Sequence, residues 1–304
     1  MQYIWITILV LGTTADSLIR KVVVDKFKFL DFFVAFFCWV LVLSLVVAFI
    51  AVVSGYNVFD GLHTITSYHW LLIVLRGVLA FVSSFLWLMV TKYLPLSIAE
   101  PAYQAVALPM FLVGFFAFGD GASWYSIVLL MTIVLSSFLL GIFGSGQDEG
   151  ALRTHYIKGI VCLIVFIVVI TVLFYANRVL SDTNVSAIFV NIVVGIVGAT
   201  LSLSFKYICN SRENNTITFS LKNFKKLFFN LWIISLSIWS MLELISNFEI
   251  IGIMNIGLIN AILQAYMPIT VVLCAIIFKE KLSKLGWLIV GIIFVASILL
   301  ALLT

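Results

Sequence analysis

The chain has 304 residues, of which 64% are hydrophobic and 10% charged. Soluble domains average about 45–50% apolar and about 25% charged residues, and a water-soluble fold of this length could not hide the excess. The composition excludes a DNA-binding domain, a disulfide scaffold and a soluble enzyme, and predicts an all-α integral membrane protein whose constant partner is the lipid bilayer. The net charge of +4 carries no nucleic-acid signal, because the cations sit between apolar stretches.

A spanning helix takes about 20 mostly apolar residues. Ten such segments are expected, at roughly 2–20, 32–54, 69–91, 97–119, 123–144, 157–177, 184–206, 227–248, 252–278 and 285–303. No basic region precedes the first apolar run, so 2–20 reads as a span and not as a cleaved leader. The first, third and eighth segments are interrupted by ionisable residues. Loops are short, so a large extramembrane domain is not expected, and any function belongs in the bilayer.

Loop charge is lopsided. Of the 17 Lys and Arg residues, 15 fall in the loops that follow odd-numbered spans. Arg178 stands on the other side and Arg76 lies within a span. The positive-inside rule then places the odd-to-even loops in the cytoplasm and both termini outside.

Ten spans divide into five plus five, and an odd number per half inverts the second half, as in many secondary transporters. Two of the four prolines fit that division. Pro109 is central in the fourth segment and Pro268 in the ninth. A shift of 159 residues lays Ala102 on Ala261 and Pro109 on Pro268. A mid-helix proline frees a backbone carbonyl and permits a kink, so both are hinge candidates.

Ionisable groups within spans are costly, and each needs a reason. In chain order, Asp16 comes first, with Arg20 one turn on as a natural ion-pair partner. Asp16 is also a candidate for ion or proton coupling. Arg76 is two turns into the third segment, with Ser83 and Trp87 on its face. That stripe offers a cation, a hydroxyl and an aromatic ring, and a guanidinium suits carboxylates and phosphates. Glu100 opens the fourth segment, where a first-turn carboxylate is favoured by the helix dipole. Tyr103 and the deeper Gln104 share its face. Glu243, two-thirds along the eighth segment with Trp239 one turn before it, is the sharpest signal. A carboxylate there can bind an amine, or carry a proton and couple it to transport. Asn260 and Gln264 lie one turn apart in the ninth segment, ahead of Pro268; amides so placed also hydrogen-bond neighbouring helices.

Catalytic motifs are missing: no HExxH, DDxxD, Walker A or GxSxG pattern occurs. His63, His69 and His155 sit in loops or at membrane edges. The four cysteines lie in apolar stretches without CxxC spacing, so neither a metal site nor a cofactor is expected.

The stretch 248–300 resembles the end of an EamA-like repeat. Pro268, Glu280, Lys281 and Gly291 stand at its proline, acidic turn, basic residue and last-helix glycine, while Lys279 replaces the usual glycine before the acidic residue. In the first half, Arg76-Gly77, Pro109 and Gly119-Asp120 stand in the equivalent places. The resemblance implies two EamA-like units, 1–147 and 157–304, of the drug/metabolite transporter superfamily. It also implies a cavity lined mainly by spans one, three, four, six, eight and nine, alternating access, and a bacterial inner-membrane location. The opening ADSLIRKV and the Arg-Gly pair are similar to S-adenosylmethionine or amino-acid carriers of that superfamily. Members usually keep their termini cytoplasmic, against the loop charge of this chain.

The expectation is a secondary-active transporter, not an enzyme, for a small polar or amphipathic solute such as an amino acid or an S-adenosylmethionine-like compound. Arg76 would meet an anionic group of that solute and Glu243 a cationic group or a proton. A proton or counter-solute is the expected coupling partner, and a homodimer is open. The alternatives are a non-transporting scaffold or sensor on a transporter fold and, less well supported, a membrane-embedded lipid enzyme.

Overall fold

The computed structural model describes residues 2–26, 29–120, 123–143, 153–212, 228–253, 267–280 and 282–303. Among these the chain is helical nearly throughout. The helices are α1 (Gln2–Lys26), α2 (Phe29–Val53), α3 (Ser67–Tyr93), α4 (Leu96–Tyr103), α5 (Ala107–Phe118), α6 (Trp124–Phe143), α7 (Arg153–Ser181), α8 (Ala187–Arg212), α9 (Leu231–Ile253), α10 (Met267–Ile277) and α11 (Lys284–Leu303). Five stretches are long and apolar enough to cross a membrane: Leu30–Val53, Ser67–Tyr93, Leu96–Phe118, Tyr156–Ser181 and Ala187–Cys209.

Polarity runs from the inside out. Phe49, Phe116, Trp124, Leu231 and Leu302 are exposed on the exterior, while Asp16, Arg20, Arg76, Glu100, Asn177 and Asn191 are buried. Water would penalise such a surface, whereas hydrocarbon favours it. The arrangement is compatible with a multi-pass membrane protein.

Long helices pair along their lengths. α1 packs against α9, α3 against α7, α2 against α8 and α6 against α11. Small residues set how closely they approach. A Cβ on Gly195 of α8 would come within 2.8 Å of the Leu41 Cα, so α2 and α8 meet nearly backbone to backbone. Lys206 near the end of α8 pairs with Asp31 at the start of α2 at 2.6 Å. His69, a loop or edge residue in sequence, lies in the first turn of α3. Its Nδ1 accepts from the Thr66 backbone N–H at 3.1 Å, completing a capping box.

The fourth apolar stretch is broken in the middle. α4 tightens into a 3₁₀ turn over Gln104–Val106 before α5 resumes. Proline chemistry accounts for it. Pro109 has no N–H to offer the Ala105 carbonyl, and Pro101 none for Ser97. A mid-helix 3₁₀ segment often marks a functional hinge. The turns that follow differ in chemistry. α5 ends on Gly119 at φ 69°, and the Asp120 N–H bonds back to the Gly114 carbonyl at 3.0 Å. After α10 the left-handed position is taken by Lys279 at φ 54°.

Candidate functional site

The site grows from a polar stripe on α1. Thr13, Asp16, Ser17 and Arg20 recur at helical spacing and share one face. Arg20 donates through Nε and Nη2 to the Asp16 carboxylate, the second bond at 3.2 Å. Its Nη2 also reaches the Ser240 Oγ on α9 at 3.3 Å, and the Ser240 hydroxyl donates to Asp16. Three residues on, Glu243 accepts from the Thr13 side chain. Two carboxylates, a guanidinium and two hydroxyls thus converge between α1 and α9.

Facing them is an aromatic wall. Trp87 of α3, Tyr103 of α4 and Phe166 of α7 pack together, with ring centroids 5.0 Å apart for Trp87–Phe166, 5.6 Å for Trp87–Tyr103 and 5.4 Å for Tyr103–Phe166. The Arg20 guanidinium lies 5.3 Å from the Phe36 ring of α2, within cation–π reach. Between the polar seam and these rings is a cavity of about 140 Å³. One side can pair charges, and the other can shelter an apolar group.

Of the residues singled out in the sequence, Asp16, Ser83, Trp87, Tyr103 and Glu243 line this one cavity. The Ser83 hydroxyl donates to the Ala80 carbonyl of its own helix at 3.0 Å. Arg76 is elsewhere. It is 1% exposed, and it donates to Asn177 on α7 through Nε and to Asn191 on α8 through Nη1, the latter at 3.2 Å. Trp239 packs beside Gly12 in the α1–α2–α9 core and is not among the lining residues. Gln104 is buried in the 3₁₀ turn, and its Nε2 has no hydrogen-bond partner among the described residues. Glu100, fully buried, lies within electrostatic reach of Tyr103 and Glu243. Pro109 follows the 3₁₀ turn, and Pro268 is the second residue of α10. Asn260 and Gln264 lie outside the described residues.

Sequence reasoning treated Arg20 only as an ion-pair partner and passed over Ser240 and the contribution of α2, whose Phe36, Phe37 and Val40 line the cavity. The α1 stripe was a readable signal, because four polar residues at helical spacing in an apolar span require an interior polar face. The role of α2 had no such signal, since a phenylalanine facing lipid and one facing a cavity look alike in sequence.

No family model matches the chain, and no curated protein matches it. One solved structure, described only as "Crystal structure of protein", shares the fold at a TM-score of 0.62 over 97% of this chain and 98% of its own, with 13% sequence identity. The likeness runs end to end, so the whole helical arrangement is a recurrent architecture and not a local motif.

Proposed function

We propose that the protein is a secondary-active transporter of the drug/metabolite transporter type, moving a small polar or amphipathic solute by alternating access. The observation that carries this reading is the cavity among α1, α2, α3, α4, α7, α8 and α9, where charged groups gather inside an otherwise apolar body. Intramembrane ionisable residues facing a cavity mark solute or ion pathways.

Ten spans in two inverted five-helix units complete the proposal. The helix contacts support it. Exchanging each span of the first half for its counterpart five spans later turns the α3–α7 pairing into the α9–α1 pairing. It turns α3–α8 into α9–α2 and returns α2–α8 and α6–α11 to themselves, and all of these pairings occur. The 3₁₀ break near Pro109 supports a hinge at the site. Loop charge supports external termini and cytoplasmic odd-to-even loops.

The test uses purified protein in liposomes and a panel of amino acids, S-adenosyl compounds, organic cations and organic anions, with Glu243→Gln in parallel. Counterflow of at least one solute by the wild type, lost in a folded Glu243→Gln protein, is the expected result. Undiminished proton-coupled flux in that variant would remove Glu243 from the coupling role. A wild type that moves no solute of any class favours a scaffold.

A further inference from the structure

The turn between α3 and α4 leaves two helix ends to be satisfied, and charged side chains from elsewhere in the chain satisfy both. In the last turn of α3, the Thr91 carbonyl accepts from the Lys21 ammonium of α1 at 2.9 Å. α4 begins behind Pro95, whose side chain has no atom to cap a helix. The Ile98 and Ala99 N–H groups donate to the Pro95 carbonyl at 3.0 and 2.9 Å, which leaves those of Leu96 and Ser97. Both go to one carboxylate, that of Glu280 in the turn after α10, at 3.1 and 2.7 Å. A cation thus meets the negative end of one helix dipole, and an anion meets the positive end of the next.

Between this junction and the cavity lies an apolar seal. Leu94, Leu96, Ala99 and Cys274 belong to one buried cluster with Trp87 and Phe166 of the cavity wall. A Cβ on Gly159 would stand 2.6 Å from the Leu94 Cγ, so the start of α7 closes tightly on the end of α3. Glu280 itself is only half-buried, unlike Arg76 at 1% exposure. Hydrogen bonds to an ionised group are strong, yet at this rim water can replace each partner as the two part.

From this geometry we propose that Glu280 is a latch: its carboxylate, bonded to the start of α4, holds the cavity shut on the side of the α3–α4 turn and leaves α4 when that side opens. The proposal rests on the transport reading, in which the two five-helix units separate on one side of the membrane at a time. Glu280 lies in the second unit of that division and α4 in the first, so this bond has to break for them to separate here. Loop charge assigns this side to the cytoplasm.

Cys274 supplies the reporter. It is fully buried in the seal and within electrostatic reach of Glu280 and Lys21. With Cys38, Cys162 and Cys209 changed to alanine, the rate at which aminoethyl methanethiosulfonate modifies Cys274 is measured in detergent-purified protein. Glu280→Ala should raise that rate about tenfold. Glu280→Gln, which keeps the shape and one acceptor, should raise it less. Leu173→Cys, in a protein without other cysteines, reports the opposite end of the cavity, one turn before Asn177. In Glu280→Ala it should react no faster than before. Adding Pro95→Ser to Glu280→Ala gives α4 a cap of its own without a tie to Glu280. That double variant should regain thermal stability and leave Cys274 reactive. It also carries the comparison if Glu280→Ala alone does not fold.

Faster modification at both ends would mean a general loosening and would overturn the latch. So would an unchanged Cys274 rate, or protection of Cys274 regained with Pro95→Ser, which would make Glu280 a helix cap and nothing more. Solute counterflow by the wild type, alongside any of those results, would leave the transport reading standing without the latch. The expected pattern of reactivity in a wild type that moves no solute would keep the latch and overturn transport.

Discussion

Two seams of this molecule bury an arginine, and they bury it differently. Along α1 and α9, Arg20 is paired with a carboxylate, tied to Ser240, and part of a cavity wall. Along α3 and α7, with α8 closing the cluster, Arg76 is bound by two carboxamide oxygens and does not line the cavity. Both arginines interrupt apolar helices, yet the sequence offers Arg76 as the anion-binding group and Arg20 only as the ion-pair partner of Asp16. The partners separate them. Asn177 and Asn191 are neutral and form a fixed, enclosed clasp. Asp16 and Glu243 bring charge to the wall of a cavity. A buried charge is therefore evidence of function only once its partners and its access are known.

That distinction is breakable at its strongest point. Replacing Arg76 with leucine would leave two carboxamides on separate helices without their donor. The stability lost should be about 2–3 kcal/mol, near the upper end for polar clusters between membrane helices. The triple change Arg76→Met, Asn177→Leu and Asn191→Leu should recover most of it, since replacing a whole buried cluster by apolar groups is often neutral. Thermal denaturation in detergent measures both, and solute binding should survive in the triple variant. Binding lost while stability returns would mean that the α3–α7 seam belongs to the site after all.

The opposite pattern is expected along α1 and α9. Asp16→Asn keeps the shape but loses the charge opposite Arg20, and should cost about 1–2 kcal/mol. Here solute binding should fail even in protein that remains folded at the assay temperature. Ser240→Ala is gentler. It removes a hydroxyl that accepts from Arg20 and donates to Asp16. Hydrogen bonds between membrane helices average about 0.6 kcal/mol, and a loss of that size is expected. A larger loss would show that Ser240 holds the ion pair in position and does more than fill its rim.

Much of the helical architecture could be read from the chain. The segment bounds from hydropathy agree closely with Ser67–Tyr93 and with Trp124–Phe143, because long uncharged runs leave little choice of where a helix begins. Five of the proposed site residues converge because a polar group in a hydrophobic helix must face inward. Arg76 could not be separated from them, because the rule that turns a polar residue inward does not say whether it meets a cavity or a clasp. Trp239 failed to reach the wall for a related reason. An aromatic residue one turn from Glu243 shares its general direction, but a large ring can be buried in helix packing as readily as in a pocket, and here it packs beside Gly12.

The contrast extends to the turns after α5 and α10. Gly119 and Lys279 both adopt left-handed backbone, at φ 69° and 54°. Glycine holds that conformation without penalty, whereas a residue with a Cβ meets its own carbonyl. Lys279 is exposed and gains nothing visible from its side chain, while the neighbouring Glu280 accepts from the N–H groups of Leu96 and Ser97 at 3.1 and 2.7 Å and so caps α4. The turn is held in shape by that cap in spite of the lysine. Lys279→Gly should therefore stabilise the protein, by about 0.5–1 kcal/mol, read as a rise in the denaturation midpoint. Gly119→Ala should destabilise it by a similar amount, since the space around Gly119 is open and only the backbone angle resists. If Lys279→Gly instead lowers stability, the lysine contributes more than its strained backbone costs, and the two turns differ in function and not merely in composition.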